Sequence, residues 1–193
     1  MPTPAGVIVR PRRSLAAINA RPRLAAAAAI VAGSGAVSIG FDWLAAELAP
    51  RSFPPPSPYL FVALPAVLLA FWVLAGWLID LGARMMARPS RLRQILASAG
   101  HCFVLLSAYG LISALQALAL RLGAGGQGAW WVGWLDAPLL AWFIVLLGLA
   151  VATVHRLEAP SALALALLPF GALLGALVLY ALVAGGIAGL HPG

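Results

Sequence analysis

In the uncharged stretch from Gln94 to Leu120, six side chains could share one chemistry. Ser98, His101, Cys102, Tyr109, Ser113 and Gln116 fall within a sector about 120° wide when successive residues turn by about 100°. Such a face can hydrogen-bond to neighbouring helices, or, with His101 as its titratable member, form a proton-responsive polar site. His101 stands eight residues past Arg93, roughly 12 Å along a helix, and is the deepest histidine. Asp80 precedes Arg84 by four residues, the spacing of an ion pair that keeps a carboxylate charged near a membrane interface. Ionisable groups inside an apolar span are functional candidates by default, so Asp80 joins the six as a possible intramembrane polar site. His155, Arg156 and Glu158 in "VHRLEAP" read instead as a tight turn that ends at Pro160.

None of these residues completes a catalytic or metal-binding signature. The sequence has no phosphate-cradling glycine loop ending in Lys-Ser/Thr, no histidine pair at helical spacing and no serine in a nucleophile elbow. "GAGGQG" at 123–128 lacks a following Lys and reads as a loop. The single Cys102 permits neither an internal disulfide nor a cysteine-rich metal site. No catalytic residue, metal or cofactor is expected, and the chain is expected not to be an enzyme.

The elements that must position these groups follow from composition. Apolar residues make up 63% of the 193 positions and charged residues 9%, whereas soluble domains average roughly 45–50% and about 25%. An internal core cannot hide so much apolar surface, so lipid must cover the remainder. A span needs about 20 apolar residues, and five such runs are read at 24–43, 59–81, 94–120, 137–153 and 161–190. None alternates with period two, so the spans are helices, because hydrocarbon leaves no partner for an open strand edge. The expected fold is an all-α integral membrane bundle of five transmembrane helices (24–190) preceded by a short amphipathic amino-terminal segment (1–23). Small residues such as those of "AGSGAVSIG" and "GALLGAL" allow close helix packing.

All twelve basic residues are arginine, and they orient the bundle. Ten lie in the amino-terminal segment, the loop between spans two and three, and the loop between spans four and five; only Arg51 and Arg121 lie on the other side. The positive-inside rule then predicts a cytoplasmic amino terminus and an outer carboxyl terminus in a bacterial inner membrane. Trp130, Trp131 and Trp134 fit an aromatic belt on the outer side. Arg10, Arg12, Arg13, Arg21 and Arg23 are interleaved with apolar residues between Pro11 and Pro22 and around them. That pattern predicts a surface helix meeting anionic lipid headgroups rather than an arm for nucleic acid, despite a net charge of +7. A cleaved signal peptide is the rival reading, but two further arginines separate Arg13 from the apolar run and four more spans follow.

Three segments carry a resemblance. "RPRRSLAAINARPRL", "RPSRLRQILASAGHCFVLLSAYGLIS" and "WFIVLLGLAVATVHRLEAPSALALALLP" follow the order of basic opening, basic loop before span three, and histidine turn before a proline-bearing fifth span. In this the chain resembles the bacterial branch of the YIP (Ypt-interacting protein) family of five-span membrane proteins. Where eukaryotic members carry a tyrosine and a proline in span three, this sequence has His101 and Leu105. The resemblance implies the five-span architecture and, carried over with it, a non-enzymatic scaffold or interaction role; membrane lipids, an unidentified protein partner and a second copy of the chain are the expected partners, and nucleic acid is not. A small transporter or channel with a polar site around His101 is the alternative.

Overall fold

The computed structural model describes residues 4–49, 51–123 and 130–189, with side chains described over 6–181 of that range. Among the described residues every regular element is helical. They are α1 (Pro4–Val9), α2 (Pro11–Ala20), α3 (Leu24–Leu48), α4 (Leu60–Met85), α5 (Leu92–Cys102), α6 (Ser107–Arg121), α7 (Asp136–His155) and α8 (Ala159–Gly189). Five stretches are long and apolar enough to cross a membrane: Leu24–Leu48, Leu60–Met85, Leu92–Arg121, Trp130–His155 and Ala159–Ala181. At about 1.5 Å per residue each exceeds the roughly 30 Å hydrocarbon layer. The loop expected at 123–128 lies, Gly123 apart, outside the described residues, as does the expected end of span five at 190.

The spans close into a ring. The first packs on the second and third, the second also on the fifth, and the fourth on the third and fifth. Glycines set the closest approach: a methyl group at Gly110 of α6 would fall 2.7 Å from Ser38 Cα of α3 and 2.9 Å from its carbonyl carbon. These two helices therefore touch backbone to backbone, as small residues permit in membranes.

Four phenylalanines, one from each of spans two to five, fill the middle. Phe103 meets Phe71 at 6.4 Å and Phe143 at 5.4 Å, and Phe170 meets Phe71 at 5.9 Å and Phe143 at 6.3 Å. Most of these contacts are edge to face, the arrangement favoured by the ring quadrupole and worth about 0.5–1.5 kcal/mol per pair beyond area burial.

Span three departs from the single helix expected over 94–120. Phe103–Leu106 winds as a 3₁₀ turn, and the Ser107 hydroxyl donates to the Val104 carbonyl at 2.9 Å, a local bond that competes with the regular ladder. Four residues at about 120° rather than about 100° rotate the following helix by roughly 80°. The six polar residues consequently do not share one face. Ser98, His101 and Cys102 are buried, whereas Tyr109, Ser113 and Gln116 are half-buried.

The amino-terminal segment folds back on the bundle. α1 packs on α2 and α5, and α2 on α5 and α7, burying Val7, Leu15 and Ile18 completely or nearly so. Arg10, Arg12, Arg13, Arg21 and Arg23 are all exposed on the opposite side. The amphipathic pattern is thus largely satisfied by protein on its apolar face, and the arginines meet the surroundings together with Val9, Ala16 and Ala17.

Candidate functional site

The best-defined polar site lies at the arginine-rich end and is built around Asp80. α4 ends in a Schellman turn: the Arg88 N–H donates to the Ala83 carbonyl at 3.0 Å and the Ala87 N–H to the Arg84 carbonyl at 2.9 Å. Ala87 takes the left-handed position, φ 57°, where glycine is usual. Pro89 follows and cannot continue the helix. The reversed chain then carries Ser90 and Arg91 back to the last turns of α4.

Asp80 collects this turn. Its Oδ2 accepts from Arg84 Nε at 2.9 Å, from Arg84 Nη2 at 2.7 Å and from the Ser90 hydroxyl at 2.8 Å. Its Oδ1 accepts the backbone N–H of Arg91 at 2.7 Å. Arg91 is the residue preceding α5, and its carbonyl receives the first helical bonds, from Gln94 and Ile95. A carboxylate there also complements the positive end of the helix dipole. The Arg91 side chain reaches further and donates from Nη1 to the Val154 carbonyl at 2.9 Å, satisfying one of the open carbonyls at the end of α7. One carboxylate and one arginine thereby join the ends of α4, α5 and α7.

His155 completes the cluster. Its side chain is fully buried with Nε2 4.0 Å from Asp80 Oδ1, and neither ring nitrogen has a hydrogen-bond partner. Arg156 adopts a left-handed conformation, φ 55° and ψ 47°, which turns the chain so that His155 stays inside while Arg156 is exposed. The "VHRLEAP" segment therefore does form a turn, but its histidine belongs to the Asp80 cluster.

The structure scatters the remaining sequence candidates. The His101 Nδ1–H donates to the Ala97 carbonyl at 2.8 Å; a carbonyl can only accept, which fixes the proton on Nδ1. Cys102 and Ser113 likewise turn to carbonyls four residues back, at 3.5 Å and 3.4 Å. These bonds stay within their own helix instead of crossing to a neighbour. Beside His101 the packing is tight: a methyl at Gly100 would fall 2.7 Å from Ala27 Cβ and 3.1 Å from Trp72 Nε1, and that indole donates to the Leu96 carbonyl at 2.9 Å. Tyr109, Ser113 and Gln116 lie on α6 towards the opposite end of the bundle. Spacing alone does not single out Ser90, Arg91 and His155 as site residues. The one local signal is "RPSRLRQ", in which Pro and Ser before a periodic apolar run announce a helix start that needs a capping acceptor.

Among the described residues no group of three His, Cys, Asp or Glu side chains could hold a metal ion. With four hydrogen bonds on its two oxygens, Asp80 is a structural staple that leaves little capacity for a ligand. Five crossing helices, a filled core and a stapled end define the class: a multi-pass α-helical membrane protein. The chain belongs to the Yip1 domain family, whose pattern matches residues 5–181. No curated protein and no solved structure matches it.

Proposed function

We propose that this protein is a non-enzymatic membrane scaffold of a bacterial inner membrane, with its arginine-rich end in the cytoplasm. The observation that carries this reading is the division of labour at that end. Val7, Leu15 and Ile18 hold the amino-terminal segment on the bundle, while its five arginines, together with Arg84, Arg88, Arg93 and Arg156, are exposed. A fixed, one-sided basic surface suits anionic headgroups, at about 1 kcal/mol per arginine, and an acidic protein partner held beside them. The packed phenylalanines and the tight surroundings of His101 favour this reading over transport.

The test combines two measurements on the full chain. In native membranes, a photo-crosslinking residue at exposed Ala17 should label anionic lipid and one defined protein across repeated captures. In proteoliposomes, wild type and His101→Gln should show the same proton permeability as empty vesicles. Proton flux in wild type that His101→Gln removes would overturn the scaffold reading in favour of a transporter.

A further inference from the structure

The opposite end of the bundle holds a second, separate constellation. A cavity of about 340 Å³ opens there, lined by Gln116 of α6, by Trp130, Gly133 and Trp134 ahead of α7, and by Asp136 and Ala137 of its first turn. That volume is at the small end for ligand sites, about 300–1,000 Å³, and matches a headgroup better than a whole lipid. Gln116 stands five residues inside the Arg121 end of its span and Asp136 six residues inside the Trp130 end of the next. Gln116 therefore lies roughly 8 Å in from its span end, and Asp136 opens α7 beside it, after a turn at Trp134–Leu135.

The lining is chemically one-sided. Trp130 and Trp134 meet at 5.3 Å and 87°, so two indoles form the walls of a corner. Their π faces carry negative potential. Asp136 Oδ1 is shielded from solvent yet accepts no hydrogen bond, although it sits in a first helical turn where free amides are near. A shielded, unpartnered carboxylate oxygen is costly unless a cation meets it. Gly133 has no side chain to clash with the Gln116 amide, which a methyl there would strike; the amide is thus kept at the cavity wall. Among the described residues none that lines it is basic.

We propose that this corner binds an alkylammonium group, with Asp136 as its counter-ion and Trp130 and Trp134 as its cation–π walls. The group can come from an ammonium-bearing phospholipid headgroup or from a free amine in the surrounding water. The site is independent of the scaffold reading, because it lies at the other end of the bundle and uses none of the same residues.

The test uses the full chain in nanodiscs. Tetramethylammonium chloride, titrated against a sodium chloride control of equal ionic strength, should change tryptophan fluorescence saturably in wild type. Asp136→Asn and Trp134→Leu should each weaken that binding by on the order of tenfold. Trp142→Leu, an exposed tryptophan further along α7 and outside the lining, should leave it unchanged, and circular dichroism should show all variants folded. Native mass spectrometry distinguishes the sources. Phosphatidylcholine retained over phosphatidylglycerol by wild type but not by Asp136→Asn identifies a lipid headgroup, and saturable tetramethylammonium binding without lipid preference identifies a free amine. Absence of saturable binding in wild type, or equal binding in folded Asp136→Asn and Trp134→Leu, overturns the proposal.

Discussion

The Asp80 carboxylate accepts the backbone N–H of Arg91 at 2.7 Å, so a side chain of the second span caps the helix that begins the third. Helix caps are ordinarily supplied from within a few residues; this one comes from eleven residues upstream, across a helix reversal. The arrangement makes the loop between the two spans part of the rigid bundle and gives Asp80 a mechanical role beyond its ion pair with Arg84.

Removing that carboxylate should be more damaging than removing its charged partner. Asp80→Ala strands the Arg91 N–H and the Ser90 hydroxyl and is expected to cost about 2–3 kcal/mol. Arg84→Ala, whose side chain is half exposed, leaves Asp80 two other donors and should cost roughly 1 kcal/mol. Reversible unfolding in detergent, monitored by helicity, gives both values; equal losses would mean that the cap contributes little.

Ala87 occupies a left-handed position at the end of α4 that disfavours any residue bearing a Cβ by roughly 1 kcal/mol. Ala87→Gly should therefore stabilise the protein by up to about 1 kcal/mol, and Ala87→Val should destabilise it. A thermal shift assay on purified protein reads the sign directly, and a lower midpoint for the glycine variant would count against the Schellman geometry.

Two glycines should respond oppositely to the same substitution. Gly110→Ala drives a methyl into the Ser38 backbone of α3 and should destabilise the bundle by about 1–3 kcal/mol. Gly171→Ala meets no heavy atom within 4 Å and should be neutral or slightly stabilising, because alanine favours helix. Comparing the two unfolding midpoints separates close packing from helix propensity.

The orientation proposed above follows from ten arginines on one side and two on the other. Reporter fusions after Arg23, Arg93 and Arg156 should report the cytoplasm, and fusions after Arg51 and Arg121 the opposite side. A periplasmic signal after Arg93 would invert the bundle and place the basic surface outside.

The five crossings are legible in the sequence because hydrocarbon imposes a single demand, about 20 apolar residues per helix, that each run meets without reference to the others. The Asp80–Arg84 pair is legible for a similar reason, since a four-residue spacing fixes it within one helix. The rest of the site depends on where separate helices end. Arg91 reaches Val154 across 63 positions, and His155 approaches Asp80 only because Arg156 turns left-handed. The polar face of span three is interrupted for a different physical reason: a shared sector requires uniform helical rotation through Phe103–Leu106, where the 3₁₀ turn resets the phase. The ring of phenylalanines is likewise invisible to spacing, because its members come one from each of four spans.

The docking of the amino-terminal segment also bears on how the protein is made. Leu15 and Ile18 emerge early, but α2 rests on α5 and α7, and α7 is complete only at His155. At a synthesis rate of about 5–20 residues per second, on the order of ten seconds separate the appearance of α2 from the appearance of its full seat. During that interval α1 and, later, α5 cover its apolar side only in part, and the nascent segment can rest on the bilayer with both faces engaged, arginines among headgroups and Leu15 and Ile18 among acyl chains. On that schedule α2 would be a temporary tenant of the lipid, recruited to the bundle when the fourth crossing arrives.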